Sequence, residues 1–313
     1  MKRLRIAFSD FWRVNFDPCR NFLHRYLREL YDLEFSDTPD VLFYSCFGRQ
    51  HRRYKCLKIY YTGENRRPDW HHCDYAITYD HLDHPDHYRL PNYAHSGYGQ
   101  LQNLVKDQVN AEELLAAKTG FCNFIYSNPN CPPRNQFFRL LSKYKRVDAG
   151  GKLFNNLGGP IAGRQKGKMA FIAKYKFTIA FENGSHPGYT TEKLAQPMWA
   201  GSLPIYWGNP LVQLDFNPHS FLNYFDYGSQ QALVERVIEL DQDDRLYAEV
   251  LRQPWLHDNR VPAAFEKENV QQFLQRAIET PRQPVATLRR SSLFGLWTDW
   301  WPWATRAGAA PAA

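Results

Sequence analysis

Short apolar runs recur along this chain with helix-period stretches set between them, and that alternation limits the fold more than any other feature. "LRIAF", "DVLFYSCF", "LKIYYTGEN" and "CDYAITYD" read as short buried strands. Ahead of the second lies "DPCRNFLHRYLRELYD", whose Phe22, Leu23, Tyr26, Leu27 and Leu30 fall at helical spacing. The alternation restarts near residue 119 with "FCNFIYSN" and "PRNQFFRLLSKY". It continues through "FTIAFEN", a helix after Thr191, "SLPIYWG" and "QALVERVIEL". Strands alternating with helices imply parallel sheets, so the expected fold class is α/β with two such units. A chain of 313 residues with 43% hydrophobic content can supply both cores.

Between the units, the stretch from about 97 to 118 reads as a loop plus a connecting helix. No internal repeat or low-complexity tract interrupts the pattern. The C-terminal "LRRSSLFGLWTDWWPWATRAGAAPAA" differs in kind: Trp297, Trp300, Trp301 and Trp303 follow Arg289 and Arg290. That mixture suits an anchor at a membrane surface, or a disordered end with some Trp packed back on the body.

The net charge of +7 favours anionic partners. The basic residues are spread along the chain, with no zinc-finger, basic-zipper or RNP-type pattern, so nucleic acid is not the expected partner. Aromatic residues reach 16%, which is compatible with stacking on sugars or bases and equally with aromatic-rich cores. Cys19, Cys46, Cys56, Cys73, Cys122 and Cys131 show no CxxC spacing and are expected as free thiols. "MKRLRIAFSDF" is too short in its apolar part for a secretory signal, and no run approaches the roughly 18 apolar residues of a spanning helix. The expected location is cytoplasmic, with peripheral contact at the inner membrane face open through the tail.

In open α/β sheets ligands bind beyond the carboxyl ends of strands. "FTIAFEN" delivers Glu182 and Asn183 there, ahead of a Gly-containing loop and a helix start. Thr190 and Thr191 are good N-caps and Glu192 suits the positive end of a helix dipole, whereas Lys193 in the first turn is repelled unless something negative shares its space. A bound phosphate would meet that need; a side chain reaching sideways into water would avoid it. Arg134, opening another helix after a strand, offers a second cation, so two helix N-termini could converge on a diphosphate.

The segment "YKFTIAFENGSHPGYTTEKLAQPMWAGSLPIYWGNP", with "DFNPHSFLNYFD" after it, closely resembles the donor-binding segment of bacterial α1,3/4-fucosyltransferases of the Lewis-antigen type. "YYTGEN" and "SNPNCPPRN" resemble further segments of that family in the same order, and the likeness spans about residues 4 to 285. The resemblance implies a GT-B architecture, two Rossmann-like domains facing a central cleft. The corresponding boundaries are 1–112 for acceptor binding, 113–285 for GDP-fucose binding, and 286–313 for the basic, Trp-rich tail. It implies inverting transfer of L-fucose from GDP-β-L-fucose to O3 of N-acetylglucosamine in a lactosamine-type acceptor, or of glucose in lactose. Transfer to O4 or to another bacterial surface glycan such as lipopolysaccharide stays open, and so does a non-catalytic glycan-binding protein on the same fold. Carried over by position, Glu64 matches the general base. Arg134 and Lys193 match the diphosphate-binding cations, and Asn183, Tyr189 and Glu192 the other donor contacts. No cofactor or metal is implied beyond GDP-fucose as donor substrate, and stimulation by a divalent cation is left undecided.

The chemistry of direct inverting substitution agrees with that assignment: one carboxylate must take the proton of the attacking hydroxyl, and fixed cations must meet the charge growing on the departing GDP. Glu192 beside Lys193 is expected to stay ionised and accept hydrogen bonds from sugar hydroxyls. Pro197 departs from the family pattern and is expected to bend or loosen its helix, because it cannot donate to the carbonyl of Lys193. His186 is open between a substrate contact and filler. Asp241 and Asp243 in "ELDQDD" imitate a DxD metal motif, but Asp243 or Asp244 reads better as the cap of "RLYAEVL". His81, His84 and His87 lie around Pro85, which breaks helical register, and do not form a metal-ligand pattern.

Overall fold

A computed structural model of the chain describes residues 1–12, 16–95, 101–106 and 110–288. The reading of the Trp-rich tail as a membrane-surface anchor lies outside these residues, as do parts of the connecting stretch after residue 95.

The first lobe is one parallel sheet. Its strands are β1 (Lys2–Ser9), β2 (Tyr31–Phe35), β3 (Val41–Tyr44), β4 (Leu57–Tyr61), β5 (Tyr75–Thr78) and β6 (His87–Arg89), in the order 2-1-3-4-5-6. Helix α1 (Phe22–Leu27) connects β1 to β2. Strands β3 and β5 are buried at every position, as a central parallel strand covered on both faces must be. The sequence pattern misses β2 and β6. Both are sheet edges: "YDLEF" carries Asp32 and Glu34, and "HYR" is three half-buried residues, so neither shows a continuous apolar run.

Two short helices follow, α2 (Asn92–His95) and α3 (Ala111–Ala116). The second lobe contains β7 (Gly120–Phe124), α4 (Pro132–Leu141), β8 (Val147–Ala149), α5 (Arg164–Ile172), β9 (Tyr175–Phe181), α6 (Glu192–Trp199), β10 (Leu203–Trp207) and β11 (Leu222–Asn223). Its sheet is also parallel, in the order 11-10-9-7-8. The register sets Leu203 beside Phe177 and Trp207 beside Phe181, so β9 and β10 end together and the loop after Phe181 opens at the carboxyl edge of the sheet. Helix α6 runs through the buried Pro197 to Trp199 without a break.

The described part of the chain ends with α7 (Gln230–Gln242), α8 (Asp244–Arg252), α9 (Lys267–Glu279) and α10 (Val285–Leu288). Asp243 caps α8, accepting from the Leu246 amide at 3.0 Å, which accounts for the DxD-like pattern. Asp241 pairs with Lys145 and Lys176. Helix α9 returns to the first lobe. Gln271 donates to the Tyr26 carbonyl at 3.0 Å, Lys267 pairs with Glu29, and the Tyr31 hydroxyl donates to Glu279 at 2.8 Å.

A bidentate ion pair ties the lobes directly: Arg89 of β6 reaches both oxygens of the buried Asp215, at 2.9 and 2.6 Å. The rings of Tyr93 and Phe216 pack beside it, 4.7 Å apart. All six cysteines are free. Among the described residues no helix is long and apolar enough to cross a membrane.

Candidate active site

A cleft of about 1120 Å³ runs between the lobes. The first lobe contributes Phe11, Trp12, Phe47, Tyr61 and Glu64; the second contributes Asn183, Tyr189, Thr191, Glu192 and Lys193. Five of the six residues singled out from the sequence therefore face one space, although they come from strand ends more than a hundred residues apart.

Glu64 stands at the turn after β4, half-buried at the cleft rim, with its amide donating to the Thr62 hydroxyl at 3.0 Å. The next residue, Asn65, reaches the opposite lobe. A side chain added at Gly184, in the loop after β9, would meet Asn65 Nδ2 at 3.3 Å. The two loops are in direct apposition.

On the second lobe the last residue before the loop is decisive. Glu182 is fully buried and accepts from the Thr191 amide at 2.7 Å and the Thr191 hydroxyl at 2.8 and 2.9 Å. Its carboxylate lies 3.2 Å from Lys193 Nζ, and Glu192 lies 3.6 Å away. The negative group that Lys193 requires in the first turn is thus supplied within the protein. Burial by itself pulls the Lys193 ammonium down, but Glu182 and Glu192 outweigh it and its pKa is raised, so the side chain stays charged. Burial likewise pushes against ionisation of Glu192, and Lys193 and Lys168 reverse that, holding its carboxyl below the ordinary range.

Two of these residues escape sequence reasoning. Glu182 is visible as a strand-end residue, yet nothing in "FTIAFEN" says that it turns inward beneath Lys193. Lys168 lines the cleft from α5, a helix whose sequence "RQKGKMAFI" lacks a clear apolar face; its burial lowers its pKa.

Arg134 does not line the cleft. It is fully buried behind Asn183, donating to Asn183 Oδ1 at 3.0 Å and to the Asn128 carbonyl, with its guanidinium 4.0 Å from the centre of the Tyr126 ring. Its Nε has no partner, and among the described residues it forms no ion pair with a carboxylate. A buried guanidinium without a counter-charge is costly, so the site as it stands favours an anion close by. Tyr189 is buried, its ring 5.0 Å from that of Tyr79 across the lobe boundary, and burial pushes its phenol up. His186 Nδ1 lies 4.0 Å from Asp80 of the first lobe and 2.9 Å from the Pro187 carbonyl.

Two lobes, each a parallel sheet flanked by helices and facing the other across a cleft, form a fold of the GT-B type. Residues 6–96 match the N-terminal domain of alpha-(1,3)-fucosyltransferase FucT, and residues 115–281 match the C-terminal part of glycosyltransferase family 10, the fucosyltransferases. The chain belongs to glycosyltransferase family 10.

Among its relatives, the alpha-(1,3)-fucosyltransferase FucT of Helicobacter pylori is 30% identical over 289 residues, covering 79% of this chain. This chain spans 59% of the length of that protein. The putative fucosyltransferase R654 of Acanthamoeba polyphaga mimivirus is 33% identical over 163 residues, 48% of this chain and 26% of its own length. The crystal structure of an alpha1,3-fucosyltransferase with GDP-fucose superposes with a TM-score of 0.77 at 26% identity, covering 91% of this chain and 93% of that one.

Proposed function

We infer that this protein transfers L-fucose from GDP-β-L-fucose, with inversion, to O3 of N-acetylglucosamine or glucose in a lactosamine- or lactose-type acceptor. The observation that carries the reading is the shared cleft: Glu64 from one lobe and Asn183, Tyr189, Glu192 and Lys193 from the other line the same space. The match to a fucosyltransferase crystallised with GDP-fucose, over nine-tenths of both chains, supports the donor.

In this reading Glu64 takes the proton of the acceptor hydroxyl as its oxygen attacks the anomeric carbon from the face opposite GDP. The C–O bond to the diphosphate breaks, and the leaving charge is met by Lys193 and by amides at the start of α6. Arg134 contributes from behind Asn183, as a buried cation whose charge the diphosphate would balance. Glu192 accepts hydrogen bonds from donor hydroxyls, and Tyr189 packs against the donor. The reading needs no cofactor. Docking of the Trp-rich tail at a membrane surface remains a proposal from sequence alone.

The test is incubation of the purified protein with GDP-fucose and a panel of type 1 and type 2 lactosamine isomers and lactose, with linkage analysis of the products. Fucose on O3 supports the reading, and fucose only on O4 moves it to the α1,4 alternative. Absence of product and of GDP release with every acceptor would favour a binding module.

A further inference from the structure

The loop that carries Glu64 and the loop that carries the donor residues converge on a single buried carboxylate outside the cleft lining. Asp80, at the end of β5, is 2% exposed. Its Oδ2 accepts from the Thr78 hydroxyl at 2.7 Å, while Oδ1 lies 2.8 Å from Arg67 Nε. Arg67 belongs to the Glu64 loop: its Nη2 donates to Asn65 Oδ1 at 3.0 Å, and its Nη1 to the Tyr79 hydroxyl, which itself donates to Asn65 Oδ1 at 2.8 Å. Asn65 is thereby held by two donors, and Glu64 is its immediate neighbour.

The same carboxylate faces the other lobe. His186 Nδ1, in the loop between Asn183 and Tyr189, lies 4.0 Å from Asp80 Oδ1, beyond hydrogen-bond reach, and 2.9 Å from the Pro187 carbonyl of its own loop. Around that contact the loop is pressed against the end of β5. A side chain at Gly188 would meet the Tyr79 carbonyl oxygen at 2.3 Å, and the Tyr79 ring lies 5.0 Å from that of Tyr189. The closeness leaves little room for the loops to shift independently.

We propose that Asp80 is a positioning residue for the Glu64 turn. Through Arg67 it fixes Asn65 and with it the Glu64 turn, while the donor loop packs against the same strand end at Tyr79. This rests on the reading of Glu64 as the base. Positioning matters because a base displaced by about 1 Å from the attacking hydroxyl loses much of its rate contribution.

The test is a double-mutant cycle on turnover. Asp80→Asn keeps the volume and removes the charge; we expect kcat to fall about tenfold in the otherwise unchanged protein and by less than about twofold in a Glu64→Gln background, where the base is already gone. A merely structural role would lower both by the same factor, and that result, or an unchanged kcat in the first case, overturns the positioning role. If Asp80→Asn does not fold, Arg67→Ala carries the same cycle, with Arg67→Lys expected to recover only part of the loss because a lysine cannot bridge Asp80 and Asn65 together. Undiminished turnover of Glu64→Gln would overturn the base assignment and this positioning role with it, whereas a crippled Glu64→Gln with additive effects overturns the positioning role alone.

Discussion

Lys193 Nζ sits 3.2 Å from the carboxylate of Glu182, a residue with no exposed surface, and donates to the Thr191 hydroxyl at 3.0 Å. A cation in the first turn of α6 is thus compensated from below while its upper side still faces the cleft. Removing that charge leaves the largely buried Lys193 with Glu192, 3.6 Å away, as its remaining partner. Glu182→Gln is expected to lower unfolding free energy by about 3 kcal/mol in urea titrations, and a loss below about 1 kcal/mol would contradict the pairing.

Lys193→Ala should weaken GDP binding about tenfold by calorimetry, the size expected for losing one charge-assisted hydrogen bond. The single variant also strands Glu182. The double variant Lys193→Ala/Glu182→Gln should therefore recover stability but not affinity, and recovery of both would remove Lys193 from the donor site.

Glu64→Gln keeps the shape of the turn and abolishes its capacity to accept a full proton. Turnover is expected to fall at least about 100-fold with GDP affinity unchanged within twofold. Equal turnover of variant and parent, measured as GDP release with acceptor present, would dismiss the residue as base.

Gly188 has φ +83° and stands against the Tyr79 carbonyl. Gly188→Ala meets both a disfavoured backbone region and a 2.3 Å contact with main-chain oxygen. The expected outcome is a stability loss of about 2 kcal/mol or more together with weaker GDP binding, because the loop must lift from the first lobe. Unchanged affinity would show that the seating of this loop does not matter to the donor.

Burial holds the His95 imidazole down to about 3 from an ordinary 6.5, with its Nε2 beside the Tyr61 hydroxyl at 3.2 Å. The unfolded chain then binds a proton that the native chain refuses. Stability should fall as pH drops from about 6.5 toward about 3 and level off below. His95→Gln should flatten that limb of the unfolding profile; an identical slope in the variant would assign it to other groups.

The sequence carried the central strands clearly, because "DVLFYSCF" and "FTIAFEN" are apolar enough to be buried on both faces. It carried the edges poorly: β2, β6 and β8 are short and partly solvated, so nothing in their residues separates them from loops. It likewise hid α5, whose many polar residues blur the helical period, whereas Val270, Phe273, Leu274 and Ala277 of α9 do fall at helical spacing. The site divided in the same way. Asn183, Glu192 and Lys193 were recognisable because each stands at a strand end or helix start, where position implies exposure to a ligand, while Glu64 and Tyr189 were singled out by the family resemblance. Arg134 was recognisable too, but its burial behind Asn183 was not.

What the amino-acid order determined by itself was the succession of strands and helices, the two-unit α/β plan and the family likeness, all of which follow from periodicity and short motifs within a few residues of one another. The partners of the charged groups were decided only by the tertiary structure. Glu182 beneath Lys193, Arg89 against Asp215 and Asp80 against Arg67 depend on how strand ends and lobes meet. A carboxylate's sequence neighbours do not specify whether it will be solvated or buried, and burial is what turns a charge into a required pair.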